Sequence, residues 1–179
     1  MFDNRSPYAG LTHQAPSLDA RKWFFIFIAA HILIWTLVPT VMRHVLPADT
    51  AEGIAWGRLW LWGYEKHPFL APWLTNISAI LAGGKLGWPQ YLLAQGVVGV
   101  AFWATWRLAV RLLPSVQALI AVVLLEGVYY YNVASPQFNP NILMLATWAL
   151  ALLTFYIAAS ERKPSQWIMA GFCAGLAMM

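Results

Sequence analysis

The chain has 179 residues, of which 60% are hydrophobic and only 10% are charged. Soluble domains carry roughly a quarter charged residues, so the composition excludes an ordinary soluble domain and predicts an integral membrane protein. The formal net charge is +4, but the basic residues are scattered and form no continuous stripe, which argues against a nucleic-acid partner.

Five apolar runs are predicted to be membrane spans, because about 20 apolar residues cross a hydrocarbon core of ~30 Å. They cover about 23–42, 91–113, 115–131, 142–160 and 167–179. The polar residues over 1–22 are expected to form a cytoplasmic tail rather than a cleaved signal peptide. The last run has 13 residues, which rise only about 20 Å as a helix, so we expect a truncated chain, the N-terminal part of a larger multi-span protein.

The segment over 69–84 decides the topology, since its 16 residues could cross the membrane or lie on its surface. If it lies on the surface, seven basic residues face the cytoplasm and four face the outside, whereas a spanning segment reverses the counts. The seven are Arg5, Arg21, Lys22, Arg107, Arg111, Arg162 and Lys163, and the four are Arg43, Arg58, Lys66 and Lys85. The positive-inside rule therefore predicts an outer loop over 43–88 with interfacial helices, within an all-α, multi-span transmembrane bundle.

The stretch over 47–73 of this loop concentrates ionisable groups among aromatic rings. The ionisable residues are Asp49, Glu52, Arg58, Glu65, Lys66 and His67, and the rings belong to Trp56, Trp60, Trp62, Tyr64 and Trp73. A charge run is usually a solvated face, but Trp and Tyr favour the boundary between lipid and water. We therefore interpret the stretch as a membrane-surface active site.

Acidic and basic residues of this stretch suggest one kind of chemistry. Asp49 and Glu52 are three residues apart and share a helix face, where they would either stabilise a helix N-terminus or supply a general base. Arg58, Lys66 and His67 would form a pocket for the phosphate of a substrate; alternatively, Arg58 and Lys66 contact lipid headgroups. Together they suggest transfer of a group carried on a lipid phosphate.

Later polar residues have two interpretations each. Glu126 lies in a predicted span and either faces the active cavity or pairs with an Arg or Tyr. Asn139 and Asn141 either bind sugar or phosphate, or cap a helix after a turn. His31 lies in the first span without a visible partner, which favours a packing or hydrogen-bonding role.

Two motifs resemble a known family. The order Asp49-x-x-Glu52, Trp56-Gly57, Trp62-Gly63-Tyr64-x-Lys66-His67-Pro68 resembles the first outer loop of integral-membrane GT-C glycosyltransferases. The later Ser135-Pro136-x-Phe138-Asn139-x-Asn141 resembles their second outer loop. The group with the greatest similarity is the dolichyl-phosphate-mannose protein mannosyltransferase superfamily, which includes the bacterial aminoarabinose transferase of lipid A.

The resemblance implies a polyprenyl-phosphate-linked sugar donor, a lipid, glycan or protein acceptor, and inversion at the sugar carbon. By position Asp49 matches the catalytic base, Glu52 its acidic companion, and Lys66 the cation on the donor phosphate. Bacterial members commonly have His-Pro-Pro where this chain has His67-Pro68-Phe69. The expected location is the bacterial plasma (inner) membrane, with a cytoplasmic N-terminus and the active site on the outer face.

No cofactor is expected. The single cysteine, Cys173, excludes an internal disulfide and a cysteine-based metal cluster, and no spacing of His, Cys and carboxylate residues predicts a metal site. Two other functions compete with sugar transfer: a transporter or flippase for lipid-linked sugars, and a noncatalytic membrane scaffold. A flippase would need charges spread through the spans, whereas here they concentrate in loops.

Overall fold

A computed structural model describes residues 19–179, so most of the predicted tail over 1–22 lies outside the described residues. Within the described range the chain forms seven α-helices and no strand. They are α1 (Ala20–Met42), α2 (Ala48–Gly57), α3 (Leu70–Leu81), α4 (Trp88–Leu112), α5 (Ser115–Leu124), α6 (Pro140–Glu161) and α7 (Pro164–Ala177). Two 3₁₀ turns, Leu125–Gly127 and Tyr129–Tyr131, follow α5. The predicted all-α class is confirmed.

Three helices, α1, α4 and α6, are long and apolar enough to cross a membrane. Side-chain caps mark the starts of α1 and α6. The Asp19 side chain accepts a hydrogen bond from the Lys22 N–H at the start of α1, and Asn139 does the same for the Ile142 N–H at the start of α6. Pro140 occupies the first turn of α6, where the missing N–H costs nothing. The chain is therefore an integral membrane protein built from a helical bundle.

Helix α4 lies at the centre of the bundle and contacts α1, α3, α5 and α6. Phe24, near the start of α1, stacks on Trp106, near the end of α4, with ring centroids 4.6 Å apart, so the two helices run antiparallel. Gly99 permits a close approach, since a Cβ there would lie 3.2 Å from the Ile32 side chain. One end of the bundle thus gathers the C-terminus of α1 and the N-termini of α4 and α6, together with α2 and α3.

The region over 115–131 differs from the single helix expected there. Helix α5 ends at Leu124 after 10 residues, which rise only about 15 Å, and the 3₁₀ turns continue the path. The backbone then hydrogen-bonds locally: the Asn132 side chain donates to the Glu126 carbonyl, and the Ala134 N–H to the Tyr129 carbonyl. Irregular backbone at membrane depth requires such internal partners.

Helices α2 and α3 both lie in the predicted loop over 43–88, and they pack against each other. Helix α3 has 12 residues and rises about 18 Å, too little to cross a hydrocarbon core. Helix α7 covers most of the last predicted run and packs against α6.

Candidate active site

The first turn of α2 meets the segment that leads into α6. The Asn139 side-chain N–H donates to Asp49 Oδ2 at 2.9 Å, although the two residues are 90 positions apart. The other end of the same amide, Asn139 Oδ1, accepts the hydrogen bond from the Ile142 N–H at 3.2 Å. One side chain therefore caps α6 and also fixes the carboxylate of Asp49.

A second hydrogen bond fastens the same two segments together. The Thr50 hydroxyl donates to the carbonyl oxygen of Phe138 at 3.2 Å. Both residues are buried, with Thr50 at 0% and Phe138 at 1% exposure. A buried carbonyl oxygen needs a hydrogen-bond partner, so this contact fixes the position of α2 relative to the start of α6.

The loop between α2 and α3 folds back and brings Lys66 over α2. The Tyr64 N–H donates to the His67 carbonyl at 3.0 Å, which closes a tight turn, and the Tyr64 ring stacks on Trp56 with centroids 5.5 Å apart. Lys66 Nζ lies 5.8 Å from the centre of the Trp56 ring, within the range of a cation–π interaction. The aromatic residues of the loop therefore position the lysine.

Lys66 forms an ion pair with Glu52 at 3.0 Å. This hydrogen bond, together with the negative charge of Glu52, raises the pKa of Lys66 above its ordinary value. The side chain of Lys66 is 60% exposed, so its ammonium group faces solvent while it stays protonated at neutral pH.

Asp49 and Glu52 line one pocket between α2, α3 and the start of α6. His67 and Asn139 also line it, and Lys66 pairs with Glu52. Two carboxylates and an imidazole thus line one small concave surface, and an ammonium group is bound to one of the carboxylates. Such a surface suits a reaction in which a proton is removed and negative charge develops nearby.

Other residues singled out in the sequence lie elsewhere. Arg58 directly follows α2, is exposed, and does not line this pocket. Asn141 lines a separate cleft of about 440 Å³ between α4 and α6, beside Tyr130 and Tyr131. No group of three or more His, Cys, Asp or Glu side chains within residues 19–179 is arranged to hold a metal ion.

Glu126 is half-buried, and no Arg or Tyr side chain within residues 19–179 pairs with it. Its Oε2 is 2.9 Å from His31 Nδ1, and its Oε1 accepts a hydrogen bond of 3.0 Å from Trp35 Nε1. His31 is almost fully buried, whereas about a third of the Glu126 side chain is exposed. The partner of His31 is therefore an acid 95 residues away, which the apolar pattern of α1 does not reveal.

The hydrogen bonds beyond His31 locate its protons. The Ser135 hydroxyl donates to the Asn132 carbonyl at 2.7 Å, so it accepts from the Gln95 amide N–H at 3.0 Å. The Gln95 carbonyl oxygen then accepts from His31 Nε2–H at 3.0 Å. The remaining contact, between His31 Nδ1 and Glu126, contains a single shared proton. This network ties the segment before Asn139 to α1 and α4.

Replacing Glu126 by alanine should destabilise the protein. The change removes the hydrogen-bond partners of His31 Nδ1 and Trp35 Nε1, and leaving a buried group unpaired costs roughly 1–3 kcal/mol. The unfolding midpoint in detergent measures the loss. Glu161→Ala is the matched control, because it breaks only an exposed pair with Lys163, worth about 0–1 kcal/mol. Equal midpoints for the two variants would show that the network contributes nothing to stability.

A family model described as Dolichyl-phosphate-mannose-protein mannosyltransferase matches residues 66–179, more than half of the chain. The chain belongs to this mannosyltransferase family. No curated protein and no solved structure matches it. Family membership gives the class of activity, which is sugar transfer in a membrane. The predicted relationship to the mannosyltransferase superfamily is confirmed.

The match to the mannosyltransferase family includes Lys66, His67 and Asn139 but begins after Asp49 and Glu52. The family match therefore covers the site residues from Lys66 onward. The two acids lie outside the match and are joined to those residues by the Asn139 and Lys66 contacts.

Proposed function

We propose that this protein transfers a sugar from a polyprenyl-phosphate donor to an acceptor on the outer face of a bacterial plasma membrane. Asp49 is the general base, and Lys66 stabilises the departing phosphate. The proposal depends on one observation: Asp49, held by Asn139, lines the same pocket as Glu52, and Glu52 pairs with Lys66. Membership of a family named for a lipid-phosphate sugar donor supports the same donor class.

The reaction is a single displacement. Asp49 accepts the proton of an acceptor hydroxyl, and the oxygen attacks the anomeric carbon of the sugar. The bond between that carbon and the phosphate oxygen breaks, and its electron pair leaves on the polyprenyl phosphate, which inverts the sugar carbon. Asn139 occupies Asp49 Oδ2, so Oδ1 is the oxygen directed to the acceptor.

Glu52 holds Lys66 near the pocket until the donor arrives. Exposed ion pairs contribute only about 0–1 kcal/mol, so the negatively charged phosphodiester of the donor displaces the Glu52 carboxylate easily. The lysine ammonium then lies beside the oxygen on which charge develops during transfer, where a fixed cation lowers the barrier.

The distribution of basic residues supports an outer-face site. The end of the bundle with α2 and α3 carries Arg43, Arg58, Lys66 and Lys85, and the opposite end carries Arg21, Lys22, Arg107, Arg111, Arg162 and Lys163. The positive-inside rule assigns the richer end to the cytoplasm.

A cysteine accessibility experiment tests this orientation. In a Cys173→Ser background, Glu65→Cys should react with an impermeant maleimide added outside intact cells, because Glu65 is exposed in the α2–α3 loop. Arg162→Cys, exposed at the opposite end, should react only after the membrane is opened. The reverse labelling pattern would place the pocket in the cytoplasm.

Donor consumption by the full-length protein tests the function itself. In proteoliposomes with radiolabelled polyprenyl-phosphate mannose, Lys66→Met should lower kcat/KM for the donor about 10- to 100-fold, the value of a hydrogen bond to a charged group. Lys85→Met is the matched control, since Lys85 is an exposed lysine at the same end that lies outside the pocket. Equal rates for both variants would remove Lys66 from donor binding, and no labelled transfer by the wild type would reject this donor.

A further inference from the structure

A second cleft opens at the same end of the bundle and shares no residue with the candidate active site. It has a volume of about 410 Å³ and lies between the end of α1 and the start of α4. Its polar lining comes from Thr40, Arg43, His44 and Tyr91. The proposed sugar transfer uses none of these side chains.

Tyr91 gives the first sign that this cleft binds a ligand. The residue is only 1% exposed, yet it lines the cleft, and its hydroxyl has no hydrogen-bond partner among the residues that the structure describes. The small exposed part of the residue lies at the cleft, and its hydroxyl can pair there with water or with a ligand oxygen.

The charge of the lining selects an anion. Arg43 and His44 are exposed at the cleft, and no carboxylate lines it. An arginine guanidinium binds a phosphate through two parallel hydrogen bonds, which a lysine cannot do. The positive N-terminal end of α4, a helix of 25 residues, adds a partial charge of the same sign.

The apolar side chains of the cleft favour an amphiphilic ligand over a free ion. Val45, Leu46, Leu86 and Trp88 also line it, and Val45 is 80% exposed. Apolar side chains at the end of membrane-spanning helices lie beside lipid, where tryptophan favours the headgroup boundary. A phosphate carried on glycerol and acyl chains satisfies the cationic and the apolar parts of the lining together.

We propose that this cleft binds the phosphate headgroup of an anionic glycerophospholipid from the surrounding leaflet. Arg43 contacts the phosphate, the Tyr91 hydroxyl donates to one of its oxygens, and Leu86 and Trp88 contact the glycerol and the upper acyl chains. The bound lipid would brace the connection between α1 and α2, which leads into Asp49.

Native mass spectrometry of the full-length protein, released from nanodiscs, tests this site. Phosphatidylglycerol should remain bound in preference to phosphatidylcholine. Arg43→Gln and Tyr91→Phe should each weaken retention of phosphatidylglycerol about tenfold, which corresponds to the loss of one such contact. Tyr91→Phe keeps the buried ring, so this variant still reports on the site if Arg43→Gln fails to fold.

Lys85→Gln is the matched control, because it removes an exposed positive charge at the same end of the bundle but outside the cleft. Retention in this variant should equal that of the wild type. Equal losses of phosphatidylglycerol in all three variants would show that retention depends on general surface charge, which would overturn the site. Displacement of phosphatidylglycerol by millimolar inorganic phosphate would assign the cleft to free phosphate and overturn the lipid, and displacement by polyprenyl phosphate alone would assign it to the donor.

Discussion

Asp49→Asn should lower kcat for sugar transfer by about 10²- to 10⁴-fold, the usual contribution of a general base. Asparagine has the size of aspartate, and its carbonyl oxygen still accepts the hydrogen bond from Asn139. The variant therefore keeps the contact between α2 and α6 but cannot take the acceptor proton. The measurement is transfer of labelled sugar by full-length protein in proteoliposomes at saturating donor.

Glu65→Gln provides the matched control for this prediction. Glu65 is an exposed carboxylate in the α2–α3 loop and does not line the pocket, so its loss should leave kcat near the wild-type value. Circular dichroism and membrane extraction should be the same for both variants. If Asp49→Asn retains most of the wild-type rate, another group removes the proton and the proposed mechanism fails.

Gly57→Ala should lower both activity and stability, because α2 and α3 touch at this glycine. A Cβ at position 57 would lie 2.1 Å from the Pro72 carbonyl oxygen and 2.6 Å from the Asn76 Cβ, far inside contact distance. The Asn76 amide also donates to the Gly57 carbonyl at 3.2 Å, so the backbones cannot separate without losing this bond. Forced overpacking costs about 1–3 kcal/mol.

The loss of activity follows from the position of the acids. Asp49 and Glu52 lie on α2, and Pro72 on α3 lines the same pocket, so moving one helix widens the site. A misplacement of about 1 Å costs on the order of 10² in rate. Gly96→Ala is the control: no atom lies within 4 Å of its added Cβ, and the variant should keep the wild-type kcat and unfolding midpoint. Indistinguishable behaviour of the two variants would mean that the contact between α2 and α3 does not shape the pocket.

Local sequence predicts much of this fold. Helices α1, α4 and α6 follow from apolar runs of membrane length, and the Asp49-x-x-Glu52 spacing places both acids on one helix face. Helix α5 is harder to predict, because the predicted span runs on to Tyr131 although the α-helix ends at Leu124. That end depends on partners such as the Asn132 side chain, which no local pattern identifies.

The long-range contacts of the site could not be read from periodicity. The sequence predicts Asn139 as a helix cap, and its Oδ1 does cap α6. The hydrogen bond from its side-chain N–H to Asp49, however, joins residues 90 positions apart. The link between His31 and Glu126 spans 95 positions and joins two residues that interrupt apolar runs for no local reason. Intramembrane polar residues mark such contacts in general, yet only the packing of α1 on α5 selects the partners.

The single proton between His31 and Glu126 has an electrical consequence. Whether it resides on the imidazole or on the carboxyl group, the pair has a net charge of zero, and the proton travels only within a contact of 2.9 Å. A transmembrane voltage does work in proportion to the charge moved and the fraction of the bilayer it crosses. The membrane potential therefore does almost no work on this pair, in contrast to the work it does on the mobile arginines of a voltage sensor.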